Sequence, residues 1–255
     1  MQEKDFGELL LINNNKKIYS KNGVISKVYD HNFYSGSDVL REAMIQAYAK
    51  ERGLNVPEVI AVYPYNGDYV FELEEIKGPT LADLIEKDPD NKKKYIQKLI
   101  SIQLDLLSHN SSNLKLPKLK DKLNAYVSAS GLDASTRYDL HVLLEKMPNH
   151  YKICHGDLVP HNIIYSNNQY YILDWAHCTR GNASADAAMT YILTVLHGDI
   201  QGANFYLKEF CKKSDIAIQY VQQWISVVSA TKLKNATNPE QRELLMRNIN
   251  VVEYN

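Results

Sequence analysis

The chain has little cysteine. There are 3 in 255 residues, at Cys154, Cys178 and Cys211. None stand close enough in sequence to form a zinc-holding pair, and an odd number closes no disulfide set. Reduced thiols in a cytoplasmic protein are the expectation. Long apolar runs are also missing: no stretch approaches the ~20 residues that a membrane-crossing helix needs. The opening Met1-Gln-Glu-Lys-Asp-Phe is acidic and carries no apolar signal core. Neither sign of charge dominates, since 29 Lys and Arg face 30 Asp and Glu, for a net charge of −1. That balance gives no broad basic face for nucleic acid. Proline and glycine are sparse, at 8 and 11, and no internal repeat or low-complexity segment interrupts the chain. The expectation is a globular protein without nucleic-acid or membrane partners, a monomer or weak homodimer, of one domain or two small lobes.

What is present centres on Ile153-Cys-His-Gly-Asp-Leu-Val-Pro-His-Asn-Ile-Ile-Tyr165, read with Tyr171-Ile-Leu-Asp-Trp175. Two β-rich runs, Ile163–Tyr165 and Tyr170–Leu173, flank the polar tip 166–169. That alternation predicts a hairpin. Asp157 and Asn162 precede it, and Asp174 follows it. A hairpin returns its ends to one place, so these three groups are expected to converge. A carboxylate, an amide oxygen and a second carboxylate are hard ligands suited to Mg²⁺. One carboxylate can instead accept a proton from a hydroxyl. The pattern is that of a phosphoryl-transfer site, with one base and two metal ligands, Asn162 and Asp174.

His155-Gly156-Asp157, Asn162 and Ile172-Leu173-Asp174 resemble the catalytic core of the aminoglycoside-phosphotransferase and choline-kinase-like small-molecule kinases. The family's loop runs roughly His-Gly-Asp-Leu-His-Pro-Gly-Asn. Here Val159 and His161 stand where a second His and a Gly are common. Neither change removes a group that the chemistry uses. The resemblance implies an α+β, two-lobed, protein-kinase-like fold. Its small N-lobe, residues 1–77, would be an antiparallel sheet plus one helix that binds nucleotide. Its larger, mostly helical lobe, residues 78–255, would hold the catalytic hairpin and the acceptor.

The first third reads as strands and turns: Gly7–Ile12, Lys17–Ser20, then Asn22-Gly23, a hairpin-turn signal, and Val24–Asp30. A helix is predicted over Ser37–Arg52, with Ser37 or Asp38 as N-cap and Gly53 as C-cap. The resemblance pairs a strand lysine with a glutamate on the next helix. Lys27 and Glu42 match that pair in element type and order, with Lys27 expected on the nucleotide phosphates. The 13–17 turn would lie over those phosphates, although no Gly-x-Gly-x-x-Gly is present. The strand Asp68–Ile76 ends at Lys77-Gly78-Pro79. It resembles the kinase hinge, which implies that the backbone of Leu73 to Ile76, including Glu74, Glu75 and Ile76, meets the adenine edge.

Beyond Thr80 the periodicity turns helical: Thr80–Lys87, Lys92–His109, Lys118–Ser128 and Asp133–Lys146. Gln103 interrupts the apolar face of the second of these, and His109 reads as a structural histidine. Gly181 to Asp186 resembles the family's Gly-x-Pro-x-x-Asp element, with Ala183 for Pro, so Asp186 is expected to accept backbone N–H groups of the catalytic loop. Ala187–Leu196, Ala203–Lys212, Asp215–Ser229 and Pro239–Ile249 read as further helices. Tyr220, Val221, Trp224 and Ile225 form a core stripe. The tail from Val251 is expected over the acceptor pocket.

The combined expectation is a Mg²⁺-dependent transfer of the γ-phosphate of ATP, with GTP possible, to a hydroxyl of a small molecule. Asp157 would be the base and His155 its neighbour in the motif. The last quarter of the chain balances its lysines and acids, without the acidic excess expected for a polycationic aminoglycoside. Choline-, thiamine- and sugar-type acceptors stay open, as does a nucleotide-binding pseudokinase scaffold.

Overall fold

The structure is a computed structural model that describes residues 4–13, 15–111 and 114–250. The expected tail contact and the tip of the 13–17 turn lie outside the described residues. The chain forms two compact units. One runs to Leu84 and includes Pro160–His177. The other joins Ile85–Val159 to the chain from Cys178 onward.

The first unit is built on five antiparallel strands: β1 (Glu8–Asn13), β2 (Lys16–Lys21), β3 (Val24–Tyr29), β4 (Val59–Tyr65) and β5 (Asp68–Glu74). Their order is β1-β2-β3-β5-β4. Asn22 and Gly23 turn between β2 and β3 with φ of 52° and 81°, the left-handed pair that a two-residue hairpin turn requires. Asn66-Gly67 repeats the device between β4 and β5, with φ of 50° and 90°.

Helix α1 (Gly36–Glu51) packs its Val39, Glu42, Ala43 and Gln46 face inward. Its N-cap is Ser35, not Ser37 or Asp38. Ser35 Oγ accepts from Asp38 N at 3.3 Å and the Asp38 carboxylate accepts from Ser35 N at 3.0 Å. This reciprocal capping box fixes the start two residues before the expected cap. Val39 and Ala43 join Tyr29, Phe71 and Leu73 in a buried cluster, which holds α1 against the sheet.

The predicted hairpin forms as β7 (Ile163–Ser166) and β8 (Gln169–Ile172). Asn167 and Asn168 make its tip with φ of 49° and 61°. It is sewn into the first unit. Tyr165 N donates to Pro79 O, and Ile172 N to Asn55 O, both at 2.9 Å. A side chain at Gly78 would place its Cβ 2.0 Å from Tyr165 O, so this close approach requires glycine. The expected division at residue 77 followed the chain; packing groups the hairpin with the sheet.

The second unit is mostly helical. It contains α3 (Lys92–Ser108), α4 (Leu119–Ser128), α5 (Ala134–Lys146), α6 (Ala183–Leu196), α7 (Ile200–Ser214), α8 (Ile218–Lys232) and α9 (Pro239–Asn250). The short α2 (Leu81–Lys87) leads into it. Two small strands, β6 (Lys152–Cys154) and β9 (Thr179–Gly181), pair antiparallel within it. α8 begins three residues later than expected. Asp215 sits at φ 55° as the left-handed cap of α7, a conformation in which a new helix cannot start. All three cysteines are buried and free. Among the described residues no helix is long and apolar enough to cross a membrane.

Candidate functional site

In the first unit a cavity of about 310 Å³ has walls that divide by chemistry. Leu11, Ile18, Ile25 and Leu73 supply an apolar part, and Lys16, Lys27, Asn162 and Asp174 supply a charged part. Glu74, Glu75 and Ile76 line it as well. The Glu74 and Glu75 amides are committed to Glu58 O and Gly23 O, each at 2.9 Å. The Ile76 N–H has no backbone partner among the described residues.

Lys27 stands in β3 with its side chain buried. Its Nζ lies 2.7 Å from Glu42 Oε1 and 3.5 Å from Asp174 Oδ1. Burial alone would lower the pKa of this ammonium, but the charges of Glu42 and Asp174 outweigh it and hold the group above its usual value. Tyr29 donates its hydroxyl to the other oxygen of Glu42 at 2.8 Å. The glutamate is therefore held from two sides, and the lysine is fixed with it.

Asp174 has φ of 59°. That left-handed turn is tolerated by Asp better than by most residues, and Leu173 alone separates it from β8. Leu173 N donates to Asn162 O at 2.9 Å, so the backbones carrying the two expected metal ligands are tied together. A carboxylate and an amide oxygen in one cavity wall fit a hard divalent cation such as Mg²⁺. A second cation beside Asp174 went unnoticed in the sequence. Lys16 Nζ lies 3.5 Å from Asp174 Oδ2, and its side chain is 11% exposed. Its place at the start of β2, next to the 13–17 turn, was the available signal. Gln46 was also missed. Its Nε2 donates to Pro57 O at 2.8 Å, while its Oε1 is buried in the cavity wall without a partner among the described residues.

His155, Gly156 and Asp157 belong to the second unit, at the end of β6. His155 is fully buried, and its Nδ1 accepts from Asp157 N at 3.3 Å. Gly156 N donates to Asp186 Oδ1 at 2.8 Å, the support expected of Asp186. Gln103 Nε2 donates to Asp186 Oδ2 at 2.9 Å and to Thr190 Oγ1 at 3.2 Å. Tyr206 donates to Gln103 Oε1, and Thr190 Oγ1 donates to Leu158 O at 3.1 Å. The polar interruption of the α3 face is thus the centre of a buried network under the loop. Burial pushes the Asp186 carboxyl up to about 6, against the opposing pull of Gln103 and the Gly156 and His155 amides.

Lys232, in the last turn of α8, is a third group that sequence reasoning left unassigned. Burial lowers its pKa, and the charge of Asp157 opposes that fall. Asp157, in the same unit, is half-buried.

Each unit thus holds a share of the groups the sequence singled out: Lys27, Glu42, Asn162 and Asp174 in the first, and His155, Asp157 and Asp186 in the second. A model of the phosphotransferase enzyme family matches residues 13–210, and the chain belongs to that family. No curated protein matches the chain at the level of sequence. The fold is similar to that of a thermostable mutant of aminoglycoside phosphotransferase APH(4)-Ia in apo form, with TM-score 0.70 and 14% identity over 96% of this chain and 92% of that one. A further thermostable mutant of that enzyme, solved in a ternary complex with AMP-PNP and hygromycin B, aligns at TM-score 0.70 and 13% identity over 96% of this chain and 92% of that one. Amicoumacin kinase hAmiN, solved with AMP-PNP, Ca²⁺ and Ami, aligns at TM-score 0.68 and 12% identity over 95% of this chain and 86% of that one. A choline/ethanolamine kinase family protein from Mesorhizobium loti aligns at 0.64 and 13%, over 97% and 89%. At these identities the likeness is one of fold, and the fold is the α+β kinase-like one that the sequence implied.

Proposed function

We propose that the protein transfers the γ-phosphate of ATP or GTP to a hydroxyl of a small molecule. The observation that carries this reading is Lys27, shared between Glu42 and Asp174 in the wall of the first unit's cavity. In this reading residues 1–77 bind nucleotide. The apolar walls take the base, and the Ile76 N–H donates to its edge. Lys27 and Lys16 place positive charge against the phosphates. Asn162 and Asp174 would hold Mg²⁺, which would supply positive charge against the phosphates. Asp157 orients the acceptor hydroxyl and takes its proton. His155 and the Asp186 network keep the loop carrying Asp157 in one conformation, so positioning supplies much of the rate.

Lys232 bears on the acceptor. A half-buried ammonium acting on Asp157 disfavours a second dense cation at that place. The acceptor in this reading is a neutral or anionic hydroxyl compound, such as a sugar, rather than a polycation. Nucleotide consumption with Mg²⁺, ATP and GTP against aminoglycosides, amino alcohols and sugars tests the proposal. Turnover is expected with one neutral or anionic class. Tight nucleotide binding without turnover on any class would overturn it in favour of a nucleotide-binding scaffold.

A further inference from the structure

The Glu74–Ile76 end of the first unit's cavity carries a side-chain carboxylate. Glu75 lines the cavity, and its side chain is 17% exposed. Glu75 Oε1 accepts from Ser20 Oγ at 2.7 Å. Ser20 is paired with Ile25 across β2 and β3, and Ile25 with Leu73 across β3 and β5. Residues opposed in this way share one face of a sheet, and Ile25 and Leu73 both line the cavity. The Ser20 hydroxyl therefore holds the Glu75 carboxylate on the cavity side of the sheet. Glu74 differs: it is exposed, and its Oε2 accepts from Glu58 N at 3.1 Å. Lys77 comes no nearer to Glu75 Oε2 than 3.8 Å, and its side chain is 80% exposed, so solvent screens that pair. An ionised carboxylate offers about four lone-pair sites. Ser20 takes one of them, and acceptor capacity is left for a ligand.

In the nucleotide reading the Ile76 N–H donates to the edge of the base. With Glu75 beside it, that part of the wall offers one donor followed by two acceptor positions. Guanine presents the complement along one edge: the O6 acceptor, then N1–H, then the 2-amino group. Adenine presents a donor at N6, an acceptor at N1 and only C–H at C2. Setting adenine N1 on the Ile76 N–H leaves the carboxylate facing that C–H. Setting N6 there opposes two donors and points the N1 lone pair at the carboxylate.

We propose that this cavity selects guanine over adenine, with Glu75 as the specificity-determining residue whose carboxylate accepts from N1–H and the 2-amino group while the Ile76 N–H donates to O6. Hydrogen bonds from N–H groups to an ionised carboxylate are the stronger kind, and two in parallel fix the base in one orientation. The inference rests on the nucleotide-binding reading of the cavity and narrows its phosphate donor from ATP or GTP to GTP.

Calorimetry of the full-length protein with Mg²⁺ and GDP, ADP or inosine diphosphate tests it. GDP is expected to bind about tenfold tighter than ADP, within the discrimination that a two-pronged contact to a base supplies. Inosine diphosphate keeps O6 and N1–H but lacks the 2-amino group, so its affinity should fall between the two. Glu75→Gln replaces one acceptor oxygen with a donor amide. It should bring GDP down to about the affinity of ADP and leave ADP unchanged. A merely structural contact between Glu75 and Ser20 would weaken both nucleotides together. Equal binding of GDP and ADP by the wild type, tighter binding of ADP, or a guanine preference that survives Glu75→Gln overturns the proposal and leaves the phosphotransfer reading standing. Binding of none of the three overturns both. Guanine-selective binding without turnover on any acceptor supports the proposal and overturns the phosphotransfer reading alone.

Discussion

Gly156 N donates to Asp186 Oδ1 at 2.8 Å, so a carboxylate in the first turn of α6 holds the residue beside Asp157. Burial raises the Asp186 pKa from 3.8 to about 6. A raised carboxyl pKa means that the folded state keeps its proton longer than the unfolded chain. The contribution of this group to stability is therefore fully present below about pH 4 and is lost as pH rises to about 6. A rise of this size corresponds to on the order of 3 kcal/mol. Asp186→Asn removes the titration. Denaturant unfolding should show the variant gaining on the wild type between pH 4 and 7, and a constant difference would contradict the assignment.

The Lys27–Glu42 pair predicts a different loss. Removing one partner of a buried pair leaves the other charge uncompensated, at about 3–5 kcal/mol. Glu42→Ala also takes the acceptor from Tyr29. Urea unfolding of Glu42→Ala should register a loss in that range, together with weaker nucleotide binding by calorimetry.

Lys16 behaves otherwise, because its contact with Asp174 is long, at 3.5 Å, and Asp174 keeps Lys27 at 3.5 Å when Lys16 is removed. Lys16→Ala is expected to leave the unfolding midpoint nearly unchanged. Its nucleotide affinity should fall roughly fivefold, about 1 kcal/mol for one phosphate contact. Calorimetry with a non-hydrolysable nucleotide measures this.

Lys232 tests the acceptor class. Lys232→Glu reverses the charge that acts on Asp157. Turnover of neutral or anionic acceptors should fall, and any turnover of cationic acceptors should rise, with the difference shrinking at high salt. KM values on paired acceptors of opposite charge give the result.

The sequence showed the parts whose chemistry repeats at fixed spacing. Asp157, Asn162 and Asp174 bracket a hairpin that the alternation of Ile163–Tyr165 and Tyr170–Leu173 announces, and β7 and β8 form there. Lys27 and Glu42 were paired through the family resemblance, and they meet at 2.7 Å. Other features depend on tertiary placement. Lys16 reads as one lysine in a polar turn until β2 carries it to Asp174. Gln103 reads as a flaw in an apolar face until α6 brings Asp186 and Thr190 to it. The hairpin's membership of the first unit rests on backbone bonds to Asn55 and Pro79, which leave no side-chain pattern. The α1 cap moved to Ser35 because a reciprocal pair with Asp38 outcompetes a lone Ser37.

The central claim, that Asp157 is the base for a hydroxyl acceptor, is tested most directly by Asp157→Asn. An amide at this position keeps the shape and loses the proton acceptor. The expected result is nucleotide affinity close to wild type by calorimetry and a fall in kcat of two to four orders of magnitude, about 3–5 kcal/mol of barrier. Equal turnover by wild type and variant would contradict it.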